Sequence, residues 1–127
     1  MTNFSVVVTT INEGKNFGVG FICDDQLIRH FSGITESLAN DTQNFCNSVV
    51  IAISEGKILL PLDKFPQVVQ ISEEKFYATL TTNTIDGTEW FFTSKAIENK
   101  TDANFICAVC HSAIDFLGGV DGEKIPI

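Results

Sequence analysis

Through the first third of the chain apolar and polar positions alternate with a period close to two. Phe4 to Thr10 is a run rich in β-branched residues, and Phe17, Val19, Phe21 and Cys23 alternate with Gly18, Gly20 and Ile22; both are strand patterns. Asp24-Asp25 reads as a turn and Leu27 to Phe31 as a third strand. After a polar loop the period changes. Asn40-Asp41-Thr42 is a helix-start signal, Phe45, Val49, Ala52 and Ile53 recur at helical spacing, and Gly56 offers a stop. Pro61 and Pro66 punctuate the connection that follows.

The second half repeats the plan. Val68 to Ile71 predicts a short strand, the threonine-rich stretch from Phe76 to Ile85 a longer one, and Glu89 to Thr93 the return strand. Between the last two, Asp86-Gly87 is the strongest hairpin signal in the chain, because both residue types accept the positive φ of a type I′ turn. Thr101-Asp102 then caps a helix with Phe105, Val109, Ala113 and Phe116 on one face and Gly118-Gly119 behind it. A shift of about 60 residues sets Val7-Val8 on Val68-Val69 and Asn44-Phe45 on Asn104-Phe105. The expectation is one α+β domain over 1–127. It holds two β-β-β-α units (about 1–60 and 61–119) and a tail, 120–127. The antiparallel strands form one sheet or two abutting sheets, with one helix per unit packed on them.

Composition narrows the classes of function. The 127 residues are 44% hydrophobic, enough for one core. Sixteen acidic residues against eight basic ones give a net charge of -8, and Arg29 is the only arginine. Such a surface repels nucleic-acid backbones and anionic membranes unless its few cations cluster. No stretch approaches the run of about 20 apolar residues that crosses a bilayer, and Met1-Thr2-Asn3-Phe4 lacks the basic start of a signal peptide. A cytoplasmic protein with reduced thiols is expected.

The residues with chemical potential are few. Cys107-Ala108-Val109-Cys110-His111 spells the C-x-x-C-H of covalent haem attachment, but it falls inside a predicted helix, with Cys110 on the core face beside Ile106 and Ala113 and His111 towards solvent. A zinc site completed by Cys23, Cys46 or His30 would need a second paired spacing, which is missing. The two thiols also lie too far into the helix for a thioredoxin-like dithiol. Asp24-Asp25 and Glu73-Glu74 read as solvated surface pairs, and Gly14, Gly18 and Gly20 lack the following helix of a phosphate loop. No catalytic residue, metal or cofactor is assigned.

Lys75-Phe76-Tyr77, Asp86-Gly87, Trp90-Phe91-Phe92 and the helix ending Asp115-Phe116-Leu117-Gly118 together resemble a Pur-type or Whirly-like repeat, over Ile71 to Gly119. That family's sheet-plus-helix units pair to bind single-stranded nucleic acid. The resemblance departs where binding lives, since Thr79, Thr81, Thr82, Asp86 and Glu89 stand where the family uses basic residues. A second resemblance is to the RNase H-like fold, from three opening strands, a helix beginning Asn40-Asp41-Thr42-Gln43-Asn44 and a final helix after 99–104. Thr9 or Thr10, Asn47, and Ile71 or Ser72 occupy its acidic metal positions, which implies a dead nuclease. The two resemblances part at Phe76 to Thr82, a helix in the nuclease fold and a strand in the repeat; β-branched threonines favour the strand.

The functional expectation is a non-enzymatic binding module acting through an aromatic sheet face that includes Tyr77, Trp90, Phe91 and Phe92. Its rings stand on both sides of the strand, so the side away from the helices is covered either by a second subunit or by helices and tail within a monomer. The partner is a second copy, as in a homodimer, or another protein that the module binds or inhibits, with a basic surface suited to an acidic ligand. A single-stranded nucleic-acid binder, a small-molecule binder and an enzyme with an unrecognised site are the alternatives.

Overall fold

The structure, a computed structural model, describes residues 3–58, 60, 62, 64–83 and 86–118. Pro61, Ile85, Gly119 and the tail therefore lie outside the described residues. It is an α+β fold of two β-β-β-α units. In the first, β1 (Phe4–Ile11), β2 (Asn16–Cys23) and β3 (Gln26–Ile34) precede helix α1 (Glu36–Ser54). The second runs β4 (Gln67–Ser72), β5 (Lys75–Asn83), β6 (Glu89–Thr93) and α2 (Lys100–Gly118). Each unit has its own antiparallel three-stranded sheet, in the orders β1-β2-β3 and β4-β5-β6. Residues 75–83 are strand, the form that period-two burial demands: Phe76, Ala78 and Leu80 face the core, while Tyr77, Thr79 and Thr81 take the other side.

Both helices start earlier than their strongest polar signals. Helix α1 is capped by Thr35, whose hydroxyl accepts from Leu38 N (3.1 Å), and not by the Asn40-Asp41-Thr42 cluster. Those residues are accommodated mid-helix because Thr42 Oγ1 donates to Leu38 O (2.7 Å) and Asp41 finds Lys95 at 3.2 Å. Helix α2 is capped by Asn99 instead of Thr101-Asp102: Asn99 Oδ1 accepts from Asp102 N (2.8 Å), and its amide donates back to the Asp102 carboxylate (3.2 Å). At the far end of α1, Gly56 takes φ 73°, with Gly56 N donating to Ile53 O and Lys57 N to Ala52 O, a Schellman cap.

The two-residue turn with both φ positive is Asp24-Asp25 (51° and 69°), joining β2 to β3. Asp86-Gly87 is not such a turn. Gly87 has positive φ, Asp86 Oδ1 accepts from Thr88 N (3.0 Å), and β5 and β6 end and begin at Asn83 and Glu89. The connection is too long for the I′ geometry, so the aspartate serves as a side-chain turn former instead.

The two helices have equal length, 19 residues, and laying Glu36 on Lys100 and Ser54 on Gly118 needs a shift of 64 residues, not 60. In this register Ala39 falls on Ala103, Cys46 on Cys110, Val49 on Ala113 and Val50 on Ile114, and all eight are buried. Helix α1 packs on β1 and β2, α2 on β4 and β5, and the helices pack on each other. Rings tie the units further: Phe116 stacks on Phe4 (centroids 5.0 Å apart) and Phe105 meets the edge of Phe31 (6.3 Å). One hydrophobic cluster therefore unites the inner faces of both sheets and both helices.

Candidate functional site

The four expected site residues divide between the two faces of the second sheet. On β6, Trp90 lies opposite Thr82 and Phe92 opposite Leu80, so both turn inward and pack against the core cluster. Trp90 lies 6.0 Å from Phe92, and the Lys57 ammonium stands over its ring at 5.7 Å, a cation–π contact. Phe91, opposite Thr81, turns outward and is 64% exposed. Tyr77 shares that outer face, half-buried.

Register fills in the rest of the outer face. Val69 lies opposite Tyr77, and Gln67 and Thr93 lie opposite Thr79. Between the turns it thus carries Gln67, Val69, Tyr77, Thr79, Thr81, Phe91 and Thr93, none of them charged. Val69 is 41% exposed and Ile71, further along β4, is 66% exposed. Exposed charges flank the strip, Glu73 and Glu74 in the β4–β5 turn followed by Lys75 at the start of β5, and Asp86 and Glu89 around the β5–β6 turn. The reading of the strip from sequence missed Val69 and Ile71. Their signal was present in the absence of any charge from Pro66 to Ser72.

The sheet edges differ sharply. Along β1, Asn47 of α1 accepts from Val6 N (3.0 Å) and donates to Val6 O (2.7 Å), while Gln43 accepts from Val8 N (2.8 Å). These amides occupy the groups that another strand would use. The positions of α2 that correspond to Asn47 and Gln43 by the 64-residue shift are His111 and Cys107. His111 is turned to Asp115 (3.5 Å) and to the Phe65 ring (4.2 Å). Among the described residues no side chain hydrogen-bonds to the backbone of Val68, Val69 or Gln70, and β4 is exposed along nearly its whole length.

Elsewhere among the described residues several polar groups pair with one another. A cleft of about 400 Å³ opens where the two helices begin, lined by Thr35, Asp41, Lys95, Asn99 and Asp102 among others. Its helix ends are already capped by Thr35 and Asn99, and its lysine pairs with Asp41. On the outer face of the first sheet, Thr9 Oγ1 meets His30 Nε2 at 2.6 Å. There Gly20 leaves room for the Leu27 and Thr9 side chains that a Cβ would strike. All four cysteines are free and buried. Burial, with Cys110 nearby, pushes the Cys107 thiol up to about 11. The neighbouring Cys110 thiol, then burial, raises that of Cys46. Neutral thiols of this kind are poor nucleophiles. Among the described residues no three His, Cys, Asp or Glu side chains group as a metal site, and no helix is long and apolar enough to cross a membrane.

Neither a protein-family model, nor a curated protein, nor a solved structure matches the chain.

Proposed function

We propose that the protein is a non-enzymatic protein-binding module whose recognition surface is the outer face of the second sheet. The observation that supports this most is the concentration of exposed apolar side chains there, Val69, Ile71 and Phe91, on an uncharged strip of a molecule with net charge -8. Large apolar groups left in water on a flat, charge-free strip are stabilised when a partner covers them, at roughly 25 cal/mol per Å² of apolar surface removed from water. The acids at both ends of the strip suit a partner with an apolar centre and basic flanks, because opposite charges at the rim speed encounter and set orientation.

Tyr77 and Phe91 take the part of ring anchors in this surface, whereas Trp90 and Phe92 hold β6 to the core from behind. Single-stranded nucleic acid is a weaker fit. Its binders combine stacking rings with a cationic groove, whereas among the described strand residues of the second sheet Lys75, at the start of β5, is the one cation; Arg29 lies on the other sheet, over the Phe31 ring at 5.2 Å.

The test is native mass spectrometry of the protein isolated from its own cells. The wild-type chain is expected to carry a bound protein at fixed stoichiometry, and Phe91→Ser or Tyr77→Ser to lose it while Ile51→Ser, at an exposed apolar site on α1, keeps it. Equal retention by all three variants sinks the proposal, as does an adduct whose mass is that of an oligonucleotide.

A further inference from the structure

We propose that two copies of the chain pair through β4, edge to edge and antiparallel, so that their second sheets join into one of six strands. The inference is independent of what binds the outer face. It starts from the difference between the two units: the amides that seal β1 have no counterpart on α2, where His111 and Cys107 stand, and β4 is left as an uncharged, exposed edge. An edge of this kind is a template for another strand.

The register follows from the backbone. Thr79 Oγ1 donates to Gln67 O (3.1 Å), so the Gln67 carbonyl faces β5, and the alternation of an antiparallel strand turns the N–H and C=O groups of Val68 and Gln70 to the open side. A two-fold axis normal to the sheet keeps like faces together, so some residue must lie opposite its own copy. Centring on Val68 would set Gln70 opposite Pro66, which has no N–H to give. A Gln70 centre brings the acids of the β4–β5 turn inward with no cation facing them. With Val69 at the axis, Val68 faces the partner's Gln70 and Gln70 faces the partner's Val68, two reciprocal pairs that exchange four backbone hydrogen bonds.

Charge agrees with the same register. Further out, Lys64 comes to the same end as the acids of the partner's β4–β5 turn, Glu73 and Glu74, on both sides of the axis, so a strand flanked by acids is complementary to itself. Gln67 and Ile71 also meet across the pair on the outer face, beside the two Val69 side chains. Each copy then adds its own uncharged strip to a continuous surface.

Val69→Cys tests the geometry directly. At the axis the pair is of the non-hydrogen-bonded type, with Cα atoms about 4.5 Å apart, which suits a disulfide. In a glutathione redox buffer the variant is expected to form a covalent dimer, with two thiols oxidised and glutathione disulfide reduced. Phe91→Cys, on the same face but off the edge, should stay monomeric on non-reducing gels after the same exposure time, as should the wild type with its buried thiols. In sedimentation equilibrium the wild type should show a concentration-dependent shift towards twice the chain mass, and Gln70→Pro, tolerated at an edge, should lose it with its circular dichroism unchanged. A wild-type mass of one chain up to millimolar concentration overturns the proposal. So does cross-linking of Phe91→Cys as fast as Val69→Cys, which would mean stacking face to face. Loss of the cellular partner by Phe91→Ser with dimerisation intact separates this pairing from recognition by the outer face.

Discussion

Asn47 shows what one side chain can decide. Its amide accepts from and donates to the same residue of β1, so a single helix position both joins α1 to the first sheet and closes that sheet's edge. Replacing it by alanine removes two hydrogen bonds from a partly buried strand, and Asn47→Ala should lower unfolding stability by about 1–3 kcal/mol in urea titration. The same variant should self-associate more than the wild type, since a second open edge has been made; unchanged stability and mass would show that water replaces the amide without loss. Lys95→Ala should be milder. Asp41 is 8% exposed but its lysine is 70% exposed, so solvent screens the pair and about 1 kcal/mol or less is expected from the same titration.

At the scale of elements, Gly18 is more demanding than Gly20. A Cβ on Gly18 would run into the Phe31 carbonyl of the neighbouring strand, whereas on Gly20 the nearest atom is the end of the Leu27 side chain, at 2.5 Å. Backbone cannot step aside as a flexible side chain can, so Gly18→Ala should cost about 1–3 kcal/mol and Gly20→Ala clearly less, read from paired thermal melts. The elements themselves were largely legible because alternation and helical spacing are local signals, and the strands and both helices stand where those signals put them. Helix starts were not. Asn40-Asp41-Thr42 looks like a cap, yet Asp41 is held mid-helix by Lys95, a residue 54 positions away, and no local pattern carries that partner. For Trp90-Phe91-Phe92 the period of two told that neighbouring rings part company without telling which goes inward. The answer lay in the opposing strand, where Leu80 is buried and Thr81 half-exposed.

For the whole molecule, the 64-residue correspondence of the helices brings Cys46 and Cys110, equivalent positions of the two units, into contact at the helix interface. Small buried side chains there let the helices approach, and the thiols are stable only while protonated. Cys107 has its folded value raised from 9.0 to about 11. Its contribution is therefore fully present below pH 9 and is lost as pH rises towards 11, because the unfolded chain releases the proton first. Urea midpoints should fall across that window, by about 1.4 kcal/mol per pH unit for one thiol, and the slope should shrink in Cys107→Ala. Function was less legible than fold for a physical reason. The face proposed for binding, made of threonine, valine and isolated rings, has no required spacing, unlike a metal site or a nucleophile with its base, and the exposure of Val69, Ile71 and Phe91 in three dimensions is what points to it.

That surface is tested most directly by placing a photoreactive phenylalanine analogue at single positions and irradiating living cells. Positions 77 and 91, on the outer face of the second sheet, should each give a discrete covalent adduct with protein, while position 51 on α1 and position 27 on the first sheet, equally exposed apolar sites, should give none. Adducts from 51 or 27 as strong as those from 91, or none from 77 and 91, would contradict the assignment of this face to a protein partner.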